Sequence, residues 1–452
     1  MTGPERAPRA RTAGPAGGAP DAPLYAGAAV SDITPEPGGS MAGFAARQEP
    51  SAGVHDPLSA VAVAVADTAT TSVVIAADLI ALDPETAAAV AERVSARTGV
   101  PARNVAVAVT HTHGGPAVTR GGIGGVADPG YVASLVERLA RAGVSAVGRL
   151  VPATVASSHA RLTDVAHNRR GGTLTDPCVP VLRLDHTDGK PLATVFSHAC
   201  HPVVLGPDNR EITADWPGRA RRTVEDSLGG TALFLQGCAG QLNTGHSAQA
   251  SYRGTRSADR TFAAAERIGD RVARAVVAAA GTAVPGTGPV RVAAADLDLP
   301  LGPPVPRDDL RARAEQWARA AAAADPGERG VPRCWARWAH ACLDTPAPAT
   351  VGVPVAVHRW GPARLAFLPA EPFAEFALGL RDALADPGLL VAGYTGGVPG
   401  YLPYPPDAYL DGGYEVLEAH RAYGLPAAFA PAAGPQVAAA ARALAETVGG
   451  DT

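Results

Sequence analysis

The chain has little of what would assign it to a secreted or nucleic-acid-binding class. Its five cysteines are an odd number with no CxxC pair, so a disulfide framework is not expected and a reducing compartment is the default. Lysine is almost missing, with Lys190 the single example, and the net charge is only −4. This charge is spread evenly, so neither nucleic acid nor an anionic membrane is expected as a partner.

Long apolar runs are also missing. No segment approaches the roughly 18 apolar residues of a membrane-spanning helix, so no membrane span is expected. Residues 1–24 are rich in Pro, Ala, Gly and Arg and lack the apolar core of a signal peptide. This composition predicts a disordered leader and, with the cysteine usage, a cytoplasmic location.

The rest of the chain alternates apolar strands with amphipathic helices. Strands are predicted at 60–66, 73–77 and 105–109, with a helix at 84–98 that opens on Pro84. The order predicts an α/β fold, with a layered mixed β-sheet core flanked by helices and polar residues at the strand ends. Because no internal repeat or long linker interrupts the chain, residues 25–452 are predicted to form one domain. Residues 303–346 are predicted to form a helical excursion or lid.

The most informative segment is residues 104–116, which read Asn-Val-Ala-Val-Ala-Val-Thr-His-Thr-His-Gly-Gly-Pro. An apolar strand leads through Thr110 to His111 and His113 and then breaks at the two glycines. Side chains alternate along a strand, so the two histidines are expected to point the same way. Such a pair suits two ligands of one metal, or one ligand and one acid/base. The simpler alternative is two hydrogen-bonded histidines that line a cleft.

Other polar segments follow later strands. His198 and His201 close a second strand just before Pro202, and a glycine-bearing loop spans 236–244. The basic loop at 166–172 carries Arg169 and Arg170, either of which could clamp a carboxylate or polarise a carbonyl. Two solvated arginines are the alternative for that loop.

Together these segments resemble the neutral/alkaline, non-lysosomal ceramidase family, in its catalytic domain. The resemblance runs from about Tyr25 to the end of the chain and rests on six ordered blocks. The blocks are Ser31-Asp-Ile-Thr-Pro35, Thr110-His-Thr-His-Gly-Gly-Pro116, Asn168-Arg169, His201-Pro202 with Ala214-Asp215, Pro369-Ala-Glu-Pro372, and Tyr401 through Tyr414-Glu415.

The resemblance implies one zinc ion per chain, held by two histidines, a glutamate and a tyrosine. On this sequence the implied ligands are His111, His201, Glu371 and Tyr401. His113 is implied as the acid/base beside the metal, and Arg169 as the arginine that faces the substrate. Imidazole and carboxylate groups suit zinc, and a catalytic zinc keeps one position open for water or a carbonyl.

Two ligand positions have rivals in the sequence. His198 competes with His201, which is preferred because a His-Pro pair opening a loop is the family's form. Tyr401 has Tyr404 and Tyr409 nearby, and the spacing from Tyr401 to Tyr409 is one residue longer than the family's.

The chain departs from the family in two places. Where ceramide-cleaving members carry a Gly-Asp-Val-Ser-Pro-type loop, this chain reads Gly240-Gln-Leu-Asn-Thr244. Gln241 and Asn243, which replace the acid and the serine, are predicted to contact the substrate. Because that serine is missing, we expect catalysis by metal-activated water with His113 as the acid/base. No C-terminal β-sandwich domain is expected.

The predicted function is zinc-dependent hydrolysis of a C–N amide bond in a small, soluble N-acyl compound. One alternative is a zinc-dependent enzyme that forms an intramolecular amide or lactam, or transfers an acyl group, in small-molecule biosynthesis. Another is a non-catalytic homologue that binds zinc or a ligand.

Overall fold

The computed structural model describes residues 23–248, 258–325 and 327–450. Most of the predicted leader lies outside these residues, so its disorder stays a prediction. Within them, no helix is both long enough and apolar enough to cross a membrane.

Short and long strands are distributed along the whole described chain. They are β1 (Leu24–Asp32), β2 (Gly53–Val54), β3 (Ser59–Ala66), β4 (Thr71–Ala77), β5 (Val105–Val109), β6 (Val151–Arg161), β7 (His167–Asn168), β8 (Cys178–His186), β9 (Pro191–His198), β10 (Glu211–Ile212), β11 (Thr231–Gln236), β12 (Leu242–Asn243), β13 (Val284–Gly286), β14 (Val290–Pro300), β15 (Thr350–Trp360), β16 (Ala363–Phe367), β17 (Glu371–Pro372), β18 (Leu390–Ala392) and β19 (Tyr401–Leu402).

Helices separate these strands. They are α1 (Pro84–Thr98), α2 (Pro129–Val147), α3 (Asp215–Leu228), α4 (Phe262–Ala280), α5 (Arg307–Ala323), α6 (Gly330–Asp344), α7 (Ala374–Ala383), α8 (Tyr414–Leu417) and α9 (Ala433–Gly449).

Two mixed sheets form the centre of the molecule. The larger sheet has the order β11-β9-β8-β6-β1-β3-β4-β5, with β13 paired to β6, and the smaller has the order β14-β15-β16-β18. One apolar cluster contains residues of both sheets and lies between them. A second cluster joins the larger sheet to α1–α4, and a third joins the smaller sheet to α7 and α9. The layers therefore run helix, sheet, sheet, helix, which confirms the predicted layered α/β core.

Strand β3 shows how the sequence produces these layers. Val61, Val63 and Val65 point to the cluster between the sheets, whereas the alternating alanines at 60, 62 and 64 point to the helices. This is the two-residue period of a strand buried on both faces. Small side chains on the helix-facing side let α2 come close. A Cβ added to Gly143 of α2 would lie 2.9 Å from Ile75 Cδ1 of β4.

The predicted excursion at 303–346 forms the helical hairpin α5–α6. Helix α5 buries only Leu310 and Ala314, and these pack with Trp338 and Ala339 in a small cluster of their own. The hairpin therefore lies outside the four layers. Its role as a lid stays a prediction.

Three parallel strand pairs position the polar residues. β4 pairs with β5, β9 with β11 and β16 with β18, all in parallel. Parallel neighbours end at the same edge of a sheet, where open α/β sheets bind ligands. The two sheets meet at this edge, since Gly393 N donates to Gln236 O at 2.9 Å and Val109 N to Tyr394 O at 3.1 Å. Segments that follow β5, β9, β16 and β18 are thereby brought together.

Candidate metal centre and active site

The backbone of His111 and His113 is held in place by Thr110, Thr112 and Asp78. Asp78, directly after β4, is fully buried, accepts from Thr110 Oγ1 at 3.2 Å, and forms an ion pair with Arg221. Thr112 Oγ1 donates to Thr213 O at 2.8 Å. A Cβ on Gly114 would lie 2.5 Å from Thr213 O, so a glycine is needed there. The Thr-His-Thr-His-Gly segment is thus fixed through residues that do not contact the centre.

The alternation of side chains along a strand, from which the two histidines were expected to point the same way, does not apply to them. Strand β5 ends at Val109, and His111 has a φ of +67°, in the left-handed region. A non-glycine residue there is uncommon and is held by its surroundings. His111 N donates to Leu79 O at 2.8 Å, which anchors this turn. His111 and His113 nevertheless come together, with ring centroids 5.1 Å apart.

The hydrogen bonds of three histidines fix their tautomers. Nδ1 of His111 lies 2.6 Å from Ile80 O, that of His113 3.1 Å from Gly43 O, and that of His201 2.7 Å from Ala239 O. A carbonyl oxygen can only accept, so each Nδ1 carries a hydrogen and each neutral ring has its lone pair on Nε2. Burial lowers the pKa of His201 to about 4, in keeping with a neutral ring. The ring nitrogens of the three converge, with one from each ring lying within 4.8 Å of the others.

Glu371 completes the convergence. It follows β16, has no exposed surface, and its Oε2 lies 3.0 Å from His201 Nε2 and 3.2 Å from His111 Nε2. Two ligands of one tetrahedral zinc, each about 2.0–2.1 Å from the ion, would lie about 3.3 Å apart. The spacing of these three side chains is therefore close to that of ligands around a single ion.

Tyr401 reaches the same point through a pairing that sequence reasoning missed. β17 and β19 are parallel two-residue strands in which Glu371 is opposite Tyr401. The Tyr401 hydroxyl lies 3.4 Å from His201 Nε2. Burial raises the pKa of Tyr401 well above its usual value, and Arg169 acts in the opposite direction. Its rival Tyr404 packs against Phe376, at a ring distance of 4.6 Å, with the third apolar cluster.

These donors fit a bound cation. Lone pairs on His111 and His201 Nε2 face an oxygen of the Glu371 carboxylate, and acceptors at such distances repel each other without a cation or proton between them. Neutral imidazole, carboxylate and tyrosine oxygen are all groups that bind zinc or related metals. Among the described residues, His111, His113 and His201 form a cluster able to hold a metal ion. The rival His198 is not part of it.

His113 differs from the other two histidines. It is only partly buried, whereas His111 and His201 have no exposed surface. Its Nε2 has no hydrogen-bond partner among the described residues. A Cβ at Gly43, which has a φ of +108°, would lie 2.6 Å from His113 Nδ1, so a glycine lets the loop contact the ring. His113 therefore directs an unpaired nitrogen to the centre from a fixed support.

Arg169 lies beside Tyr401 and is held from several sides. Its Nε donates to Glu415 Oε1 at 2.8 Å, and its Nη2 donates to Gly240 O at 2.9 Å and Tyr401 Oη at 3.0 Å. Nη1 has no hydrogen-bond partner within the described part of the chain, so two N–H donors remain for a ligand. Arg170 instead bonds Gly412 O, Ala408 O and Glu415 Oε2 and holds the loop. Of the two arginines, only Arg169 contacts the centre.

Gln241 and Asn243 are buried and bonded to their neighbours. Gln241 Oε1 accepts from Ala374 N at 3.0 Å, at the start of α7, and its Nε2 donates to Glu375 Oε2 at 2.7 Å. Asn243 Nδ2 donates to His246 O at 2.6 Å, and its Oδ1 accepts from Gly245 N at 2.9 Å. These bonds organise the loop that carries the carbonyl partners of His201. Contact of either side chain with substrate stays a prediction.

Two tyrosines at the site were missed by sequence reasoning. Tyr394, after β18, donates to Glu371 Oε2 at 3.3 Å. Tyr423 donates from its hydroxyl to Glu371 Oε1 and packs against the Tyr401 ring. Tyr394 follows the apolar run 389–392, and its place just after a short strand was a usable signal. Tyr423 lies in an irregular segment that carries none of the quoted motifs, so no local pattern indicated it.

A sequence profile for the neutral/alkaline non-lysosomal ceramidases, N-terminal part, matches residues 25–286. The chain belongs to this family. A comparison with curated proteins found no match. A crystal structure of neutral ceramidase from Pseudomonas aeruginosa is similar, with 20% identity, a TM-score of 0.70, and coverage of 94% of this chain and 75% of that one. A structure of ceramidase complexed with C2 has 19% identity, the same TM-score, and coverage of 94% and 76%.

At these identities the structural likeness shows the fold, which is that of the neutral ceramidases. Membership in the family supports a hydrolase that acts on amide bonds, and the histidine cluster gives it a candidate metal site.

Proposed function

We propose that this protein is a zinc-dependent amidohydrolase that cleaves the C–N bond of a small N-acyl compound. The observation that carries the proposal is the convergence of His111, His201, Glu371 and Tyr401, with His113 and Arg169 beside them. The first four residues would hold the ion. Zinc in such a site supplies a Lewis acid for the scissile carbonyl and promotes ionisation of water.

The other two residues have separate tasks. His113 Nε2 has a lone pair and no partner, so it can take a proton from the attacking water and return it to the leaving amine. Its bond to Gly43 O keeps the ring oriented through both transfers. The two N–H donors on Arg169 Nη1 can bind an oxygen of the substrate, while Glu415 holds the guanidinium in place.

A small substrate is favoured by the enclosure of the centre. His111, His201 and Glu371 have no exposed surface, and Tyr423 lies against Glu371. The same enclosure is the observation that favours a second candidate, intramolecular amide or lactam formation, because a site that excludes water can transfer the acyl group to an amine instead.

A substrate screen with metal analysis tests the proposal. The purified chain should contain about one zinc ion per molecule and should turn over at least one of a set of N-acyl amino acids, N-acyl amines and short lipid amides. His113→Ala should keep its zinc. Its rate of amide turnover should fall by a factor of about 10²–10⁴, which is the usual contribution of a general acid/base. An active, metal-free chain would refute the proposal, and loss of zinc in His113→Ala would make His113 a ligand.

Labelled water separates the two reactions. Hydrolysis in H₂¹⁸O should place one ¹⁸O in the carboxylate product, whereas ring closure or acyl transfer to an amine places none. If every amide is inert and small carboxylates bind at the metal, a binding protein replaces the enzyme.

A further inference from the structure

A small pocket lies at the outer side of the site, between helix α6, the loop at 120–124 and the segment at 414–424. Its volume is about 120 Å³. Gly43, one of its lining residues, contacts His113 on the inner side. Tyr414, another lining residue, packs its ring 5.7 Å from the ring of Tyr401. The proposed acid/base and one proposed metal ligand therefore each contact a residue that lines the pocket.

The walls of the pocket are fixed to one another. Gly43 N donates to Ile123 O at 2.7 Å, and Ile123 N donates to Ala422 O at 3.2 Å. Helix α6 joins them through Trp338 Nε1, which donates to Leu425 O at 2.8 Å. The hairpin, the loop and the segment that carries Tyr423 thus form one connected rim, and a ligand would meet a preformed surface.

Positive charge and aromatic rings dominate this surface. Arg120, Arg337 and Arg421 line the pocket against a single acid, Glu418, which leaves a formal excess of two positive charges. Arg120 forms an ion pair with Glu85, with Nη2 2.7 Å from Oε2. Arg337 forms no ion pair within the described residues, and its Nη2 donates to Gly125 O at 3.3 Å. Trp335 and Trp338 supply the apolar wall.

Arg421 adds an ordered cation to that wall. Its guanidinium carbon lies 5.4, 4.6 and 5.7 Å from the ring centroids of Trp317, Trp335 and Trp338. Stacking on aromatic faces orients a guanidinium, so the Arg421 charge has a fixed position in the wall.

We propose that this pocket is a subsite for a carboxylate on the substrate, so that the amide cleaved is an N-acyl amino acid or a comparably acidic N-acyl compound. The inference rests on the proposed amidase function. Arginine matches a carboxylate in charge and in planar geometry, and the tryptophans pack the carbons next to it. At about 120 Å³ the pocket has room for a carboxylate and the carbons next to it.

Tryptophan emission gives a binding assay that needs no turnover, because the indoles of Trp335 and Trp338 line the pocket. The full-length chain, with its metal removed by a chelator, would be titrated with an N-acetyl amino acid and with its methyl ester. We expect the acid to bind about two- to tenfold more tightly than the ester, since Arg337 is exposed and its charge is partly screened. The metal-free form excludes binding of the carboxylate to zinc.

Arg337→Gln is the test variant, and Arg313→Gln, an exposed arginine on α5 outside the pocket, is the matched control. The preference for the acid should vanish in Arg337→Gln and persist in Arg313→Gln, with both variants unfolding like the parent. Equal binding of acid and ester by the parent, or an unchanged preference in Arg337→Gln, would overturn the subsite. Because this assay measures binding and not turnover, the carboxylate subsite can be refuted while the amidase proposal stands. Likewise, the amidase proposal can be refuted while the subsite is supported.

Discussion

The candidate metal centre and the α5–α6 hairpin lie near each other but are held by different kinds of contact. His111, His201 and Glu371 are fully buried at strand ends, and backbone carbonyls orient the histidine rings. The hairpin has a four-residue core of its own, and α5 exposes most of its length.

This difference assigns two properties to two regions. Buried polar groups held by hydrogen bonds are costly to disturb, so we expect a change of any one residue at the centre to cause a loss. An exposed helix tolerates substitution, because most surface changes shift stability by about 0.5 kcal/mol or less. The centre is therefore suited to a chemistry shared across a family, and the hairpin and its pocket to differences in substrate.

The largest expected effect separates two histidines near the end of one strand. His201→Ala should lose most of its zinc to a chelator, because one ligand of four contributes several kcal/mol to a total of about 10–16 kcal/mol. His198→Ala, which changes a buried histidine outside the cluster, should lose stability but keep its zinc. Metal analysis after dialysis measures both. If His198→Ala releases the metal and His201→Ala retains it, the assigned ligand set is wrong.

The next effect compares a buried ion pair behind the centre with an exposed one on the hairpin. Asp78→Ala leaves Arg221 buried without its carboxylate and should lower the free energy of unfolding by about 3–5 kcal/mol. Glu315→Ala on α5 breaks an exposed pair with Arg319, at 3.5 Å, and should change it by no more than about 1 kcal/mol. Urea titration measures both values. Similar losses in the two variants would remove the distinction between the regions.

Much of the layered fold could be predicted because its main elements are long and periodic. The helix expected at 84–98 is found as Pro84–Thr98, and the strand at 73–77 lies within Thr71–Ala77. Two-residue strands such as β17 and β19 have no periodicity to detect, and only the folded chain pairs them. The turn at His111 is likewise set by contacts with residues 77–80 and not by its own sequence.

The candidate site was predicted unevenly for the same reason. Residues in ordered motifs, such as His111, His201 and Glu371, could be named through the resemblance to a known family. Tyr423 reaches Glu371 because the 414–425 segment is held by the 120–124 loop and by α6, which are distant in sequence. A single tyrosine in an irregular segment gives no signal of such a contact. The pocket arginines, 120, 337 and 421, come from three separate segments and could not be associated from sequence.

The smallest expected effect tests the bond that connects the hairpin to the site. Trp338→Phe removes the indole N–H that donates to Leu425 O while keeping an aromatic ring, and should lower the free energy of unfolding by about 1 kcal/mol. Trp317→Phe is the matched control, since Trp317 packs against Trp338 and also lies beside Arg421 but lacks that hydrogen bond. Urea titration of both variants gives the difference in their free energies of unfolding. The rate of amide turnover shows whether loss of the hydrogen bond also affects Tyr423 through the 414–425 segment. We expect Trp338→Phe to slow turnover more than Trp317→Phe does. If both variants turn over substrate like the parent, the hairpin covers the site without helping to position Tyr423.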